Sequence, residues 1–154
     1  MSTLKTRTGR SLAILAASAA AALIAVSAHA AGEEVVVYKD PDCGCCGAWA
    51  EHMRAAGFRV KEIASSEMAV VKRSAGVPKA LGSCHTAHVG GYVVEGHVPA
   101  ADVKRLLAEK PKVAGIAAPG MPMGSPGMEG PYPADHYNVV SFGVNGKTQI
   151  FAKH

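Results

Sequence analysis

Three of the chain's four cysteines fall within four positions, Cys43-Gly44-Cys45-Cys46, and the fourth is Cys84. A thiolate is the attacking group in thiol–disulfide exchange and also a soft metal ligand. Cys43 and Cys46 have the C-x-x-C spacing of a dithiol redox pair, with Cys43 as nucleophile and Cys46 as its resolving partner. Cys45 is one thiol too many for a clean dithiol cycle, because a third sulfur can scramble the disulfide. For a metal ion the same sulfur is an added ligand. A vicinal Cys45–Cys46 bridge is disfavoured: neighbouring Cα atoms lie about 3.8 Å apart, whereas a disulfide wants about 4.4–6.8 Å. Cysteines in an exported domain also serve as plain staples. Three readings therefore stand side by side: a soft-metal nest, a thiol–disulfide oxidoreductase and a disulfide-stapled domain.

The choice of metal follows from donor softness. A closed four-cysteine zinc site is built from two cysteine pairs, and Cys84 stands alone. Thiolates packed as closely as C-x-C-C better suit a polynuclear Cu(I) cluster in which one sulfur bridges two ions. Met121, Met123 and Met128 lie in the stretch "MPMGSPGM", which has neither helical nor strand period. Their thioethers are soft neutral donors that suit Cu(I), or else adaptable packing over the domain. His52, His85, His88, His97, His136 and His154 follow position 30. In a strand that starts at Cys84, alternation sends His85 to the opposite face and keeps His88 on the cysteine's face, unless a bulge intervenes. Both stay open as ligands.

Lys5, Arg7 and Arg10 precede the uncharged apolar run Ser11–Val26, and Ala28-His29-Ala30 has the small-x-small form of a cleavage site. This three-part pattern predicts a secretory signal cleaved after Ala30. The apolar run spans 16 residues, short of the about 20 that a membrane helix needs. The expected mature chain is residues 31–154, one soluble periplasmic domain with no membrane span left after cleavage. Its 13 basic and 12 acidic residues give a net charge of +1, with no basic stripe for nucleic acid. The sequence shows no Ser/His/Asp hydrolase pattern, no phosphate loop and no paired catalytic carboxylates.

The elements that must position the cysteines follow from periodicity. Residues 33–39 read as a buried strand, 40–42 as a turn and 47–56 as a helix with Trp49 and Met53 inward. Residues 58–63 alternate as a second strand. Residues 65–74 read as a helix capped by Ser65, with Met68 and Val71 inward. Strands at 83–89 and 92–95 flank a Gly90-Gly91 turn. Residues 99–110 form a third helix, with Pro99 near its start and Val103, Leu106 and Leu107 inward. Residues 114–134 read as a long ordered loop, and 138–152 as a closing hairpin turning at Asn145-Gly146. A βαβ unit followed by ββα is the α/β, thioredoxin-like arrangement. It places the C-x-C-C loop after the first strand, at a helix N-terminus where N–H groups and the helix dipole favour thiolate. Cys84 then opens the third strand, in the neighbourhood that faces this loop.

"VYKDPDCGCCGAWAEHMRAAGF", "GVPKALGSCHTAHVGGYVVEGHVPAADVKRLL" and "PGMPMGSPGMEG" together resemble a DUF-labelled periplasmic metal-binding family that includes the copper-resistance protein CopG. The resemblance covers about residues 34 to 153, with three motifs in order. It implies a thioredoxin-like fold and a role in copper handling, with cysteines that bind copper as a cluster able to carry redox chemistry. By position those ligands are Cys43, Cys45, Cys46 and Cys84. Whether His85, His88, Met121, Met123 or Met128 join them does not follow with equal force. The function expected is a copper-binding protein that holds Cu(I), for buffering or for transfer to a copper exporter or periplasmic chaperone.

Overall fold

The computed structural model describes residues 32–154; the expected signal peptide, 1–30, lies outside the described residues. Strand β1 (Glu34–Lys39) runs into helix α1 (Gly44–Ala55), and the Asp40-Pro41-Asp42 turn aims one at the other. Asp40 organises that turn: its side chain accepts from Asp42 N–H at 2.9 Å and its carbonyl accepts from Cys43 N–H at 3.1 Å. The helix starts at Gly44, three residues before the expected Gly47, with Cys43 as its N-cap. Two glycines argue against helix by propensity. Burial overrides them: Cys46, Trp49, Ala50 and Met53 form one buried stripe along α1. Trp49 fixes the helix further, its Nε1–H donating to Val98 O at 2.9 Å.

Strand β2 (Arg59–Ala64) returns parallel to β1. Helix α2 (Met68–Ser74) begins three residues later than Ser65 suggested, because the Ser65 hydroxyl accepts from Glu67 N–H in a local turn at 3.1 Å. None of its residues is buried, so Met68 and Val71 are half-buried rather than inside as expected. A 3₁₀ turn (Lys79–Leu81) leads toward Cys84. Strands β3 (Thr86–Val89) and β4 (Tyr92–Glu95) form the expected hairpin; Gly90 and Gly91 both adopt positive φ, which the tight turn requires. The third strand therefore opens at Thr86, and Cys84 precedes it.

Helix α3 (Ala100–Glu109) has Pro99 as its N-cap and crosses to β5 (Gly115–Ala117), which pairs parallel with β4. β5 lies in the segment read as loop. It is three small or β-branched residues long, too short for any period, and exists because β4 offers it a paired, buried slot. Strands β6 (Asn138–Phe142) and β7 (Thr148–Lys153) close the chain as the expected hairpin.

The described residues form one mixed α/β sheet with three α-helices, in the strand order β2-β1-β3-β4-β5-β6-β7. The main core joins Trp49 and Met53 of α1 and Val103 and Leu106 of α3 to Val35, Val37, Ala87, Val94 and Ile116 of the sheet. A smaller cluster of Leu81, Val93, Ala117 and Phe142 fills the other face. Val93 and Val94 enter different clusters, as alternation along β4 demands. Among the described residues no helix is long and apolar enough to cross a membrane.

Candidate metal centre

The first turn of α1 carries Cys45 and Cys46, and its N-cap is Cys43. The start of a helix offers unpaired N–H groups and the positive end of the dipole, and no acidic side chain in this first turn competes for them. Cys43 and Cys46 form a disulfide, with sulfurs 2.01 Å and Cα atoms 5.4 Å apart. Cys45 and Cys84 are free thiols. Cys45 Sγ lies 3.4 Å from Cys43 Sγ and 4.0 Å from Cys84 Sγ. All four sulfurs lie within 4.8 Å of one another, a spacing that a small metal cluster can bridge. A side chain at Gly44 or Gly47 would meet no neighbour, so both glycines leave open space beside the sulfurs.

Cys84 belongs to a second grouping, with ligand atoms of His85 and His97 within the same 4.8 Å limit. Its Sγ is 2.9 Å from His97 Nε2 and 3.4 Å from His85 Nδ1. His97 Nδ1–H donates to Pro126 O at 2.8 Å, since a carbonyl can only accept. That bond fixes the tautomer and leaves the Nε2 lone pair facing the sulfur. His85 is fully buried, its ring tilted 41° against Trp49 at a centroid separation of 4.4 Å, and its Nε2 has no hydrogen-bond partner. Buried polar atoms are seldom left so.

Burial, then the neighbouring Cys45, pushes the Cys84 thiol up to about 11. Burial, then the nearby His97 and Lys72, takes the His85 imidazole down to about 3. Burial also lowers His97, against the pull of the Pro126 carbonyl. Around neutral pH the metal-free site therefore holds a neutral thiol and neutral imidazoles. A metal cation bound here would supply the charge that releases the Cys84 proton, and neutral imidazole is already the ligating form.

The placement of the other residues departs from strand logic. Cys84 lies before β3, so alternation does not tie His88 to it. His88 is exposed on β3, edge-on to Tyr38, and lines a cavity of about 280 Å³ with Val70, Val71 and Ser74 near α2. His85, which alternation turned away, faces the sulfur. His97 was one histidine among six, yet it makes the shortest contact to Cys84. The methionine segment does reach the site by its backbone: a Cβ at Gly127 would stand 2.7 Å from Cys45 O and 2.8 Å from Trp49 N. Met121 is exposed, and Met123 and Met128 are half-buried.

A family described as a protein of unknown function, DUF411, matches residues 81–128, which hold Cys84, His85, His97 and the methionine segment. Two solved structures are similar over most of the domain. One, titled copper resistance protein copG, form 1, is 44% identical, covers 79% of this chain and 96% of its own, and superposes with a TM-score of 0.75. Form 2 of the same protein is 43% identical, with coverages of 80% and 98% and a TM-score of 0.77. No curated protein matches the chain.

Proposed function

Since the chain belongs to the DUF411 family of the copper resistance protein copG, we propose that it is a periplasmic copper-binding protein. It holds Cu(I), as a polynuclear cluster, on the thiolates of Cys43, Cys45, Cys46 and Cys84. The observation that carries this reading is the convergence of four sulfurs within 4.8 Å at a helix N-terminus. Thiolate is the ligand of choice for Cu(I). His85 and His97 add neutral nitrogen donors on the Cys84 side. Met121, Met123 and Met128 supply further thioether donors from the segment that lies against Cys45.

The fold is thioredoxin-like: a βαβ unit carries the cysteine loop, and a ββα unit carries the facing Cys84. Residues 1–30 are a signal peptide cleaved after Ala30, which delivers a soluble domain to the periplasm. There it buffers copper for resistance or passes it to an exporter or chaperone.

The Cys43–Cys46 disulfide favours a redox role at the same site. Two thiols becoming one disulfide release two electrons, which reduce two Cu(II) ions to two Cu(I), and two protons, which pass to solvent. The oxidised form keeps the sulfurs of Cys45 and Cys84 as free thiols. The reduced form offers four, so reduction tightens the hold on Cu(I). The same disulfide is what a thiol–disulfide oxidoreductase would show, and that is the rival reading.

The test is metal content and free-thiol count on protein purified from the periplasm of copper-fed cells without reductant. Copper bound, with thiols that react only after a Cu(I) chelator is added, is the expected result. The variant with all four cysteines changed to serine should bind none; stoichiometric copper in that variant would overturn the proposal. A purified chain that begins before Ala31 would overturn the cleavage site.

A further inference from the structure

Glu95, the last residue of β4, is fully buried. An ionised carboxylate is costly to bury unless it is paired and hydrogen-bonded. Here its oxygens are amply served. Oε1 accepts from Lys72 Nζ at 2.6 Å and from the backbone N–H of Ser83 at 2.6 Å. Oε2 accepts from the Thr86 hydroxyl at 2.7 Å. Lys72 comes from α2, and its Nζ also lies 3.2 Å from Thr86 Oγ1. None of these groups is a metal donor in the site described above. They converge instead on Ser83, the residue beside Cys84.

Resting on the copper-site reading, we propose that Glu95 is a positioning residue: it holds the Ser83–Cys84 backbone so that Cys84 Sγ faces Cys45 and His97. Cys84 lies beyond Thr86–Glu95, the last pair of the β3–β4 ladder, and only the Gly96–His85 bond carries the register toward it. On one side Ser83 is tied to Gly120, by its hydroxyl to Gly120 O and through Gly120 N–H to Gly82 O at 3.1 Å. On the other side the Glu95 carboxylate is the tie. His97 follows two residues after Glu95 on the same segment, so one stretch of backbone sets both the thiol and its imidazole neighbour. The Gly96 N–H donating to His85 O at 3.0 Å locks the third member to that stretch. Lys72 pairs with Oε1, the same oxygen that accepts from Ser83 N–H.

The acceptor and the charge can be separated. The double variant Lys72→Met with Glu95→Gln removes both charges and keeps an oxygen for Ser83 N–H; the amide N–H can donate to Thr86. The triple variant Lys72→Met, Thr86→Val and Glu95→Met removes the polar group whole. Replacing a buried ion pair by apolar side chains of similar volume is often neutral for folding. The readout is geometric and metal-free. With Cys43–Cys46 oxidised, diamide takes the two electrons and two protons of Cys45 and Cys84 and joins them. The product is a disulfide between tryptic peptides 40–54 and 80–104.

The Gln variant should cross-link at close to the wild-type rate. The apolar variant should cross-link about tenfold more slowly, the factor that one lost buried acceptor corresponds to. Its Cu(I) affinity, measured by chelator competition, should fall in parallel. An apolar variant that cross-links like wild type, or a Gln variant as slow as the apolar one, overturns the role of the acceptor. Should the apolar variant not fold, the wild-type amide decides: Ser83 N–H should exchange slowly with solvent, and fast exchange overturns the proposal. A wild-type protein that binds no copper yet cross-links as expected would overturn the copper reading alone.

Discussion

Cys84 Sγ lies 2.9 Å from His97 Nε2, across a sequence separation of 13. The β3–β4 hairpin makes this contact. Its ladder pairs Val89 with Tyr92 and Thr86 with Glu95 across the Gly90-Gly91 turn. Two further steps of the same register set Cys84 opposite His97, and the Gly96 N–H to His85 O bond marks the step between.

Replacing His97 with alanine should lower Cu(I) affinity about 10–100-fold, the range typical of groups that orient or complete a metal site. Competition against a Cu(I) chelator measures it. The thiol count and the fold, followed through the single Trp49, should stay unchanged. Unaltered affinity would remove His97 from the donor set.

Cys45→Ser separates the copper reading from its rival. Cys45 sits 3.4 Å from Cys43 Sγ and 4.0 Å from Cys84 Sγ, so it links the two ends of the sulfur cluster. Its loss should lower the copper stoichiometry and weaken what remains. The Cys43–Cys46 pair should still cycle between dithiol and disulfide against a glutathione buffer. A variant that binds copper as wild type does would argue for a dithiol enzyme with incidental metal.

The cysteine loop was legible because its signals are local: a β-branched run, an Asp-Pro-Asp turn, then helix formers. The convergence of Cys84 rested on element order. His97 is legible in principle, since the Gly-Gly turn fixes a register that extends to it, whereas alternation along the single strand does not reach it. His88 drew attention by that same route, on the premise that Cys84 lay inside the strand. α2 and β5 show the converse limit. The cap at Ser65 lost to a local turn, and β5 has no pattern of its own because its neighbours dictate it. Glu95 at the end of "YVVE" reads as a polar strand end; only the return of Lys72 and Ser83 makes it buried.

The metal-free protein should lose stability on acidification in part through His85. Its folded-state pKa is about 3 against an ordinary 6.5. The unfolded chain therefore binds the proton first as pH falls. This contribution is fully present above pH 6.5 and is lost progressively as pH drops toward 3. Half-buried His52 and buried His97 are lowered too and act in the same direction. Urea unfolding of His85→Leu at pH 7 and at pH 4.5 should show a smaller drop than wild type. An equal drop would mean that His85 does not stay neutral in the folded protein.

Gly127→Ala tests whether the methionine segment is part of the site. Gly127 has φ +84, and an added Cβ would stand 2.7 Å from Cys45 O and 2.8 Å from Trp49 N. Both are backbone atoms of α1, which cannot yield as a flexible side chain would. The strain of a left-handed alanine alone costs about 1 kcal/mol, and the contacts add to it. The segment relieves the clash by lifting off α1, which draws Pro126 O away from His97 Nδ1 and frees that ring to rotate. Copper affinity should therefore fall by more than the loss of stability accounts for. Met121→Leu, at an exposed position, should leave stability unchanged. Its copper affinity then reports the thioether alone. Equal affinity in Gly127→Ala and wild type would show that the segment covers the cysteines without helping to hold the metal.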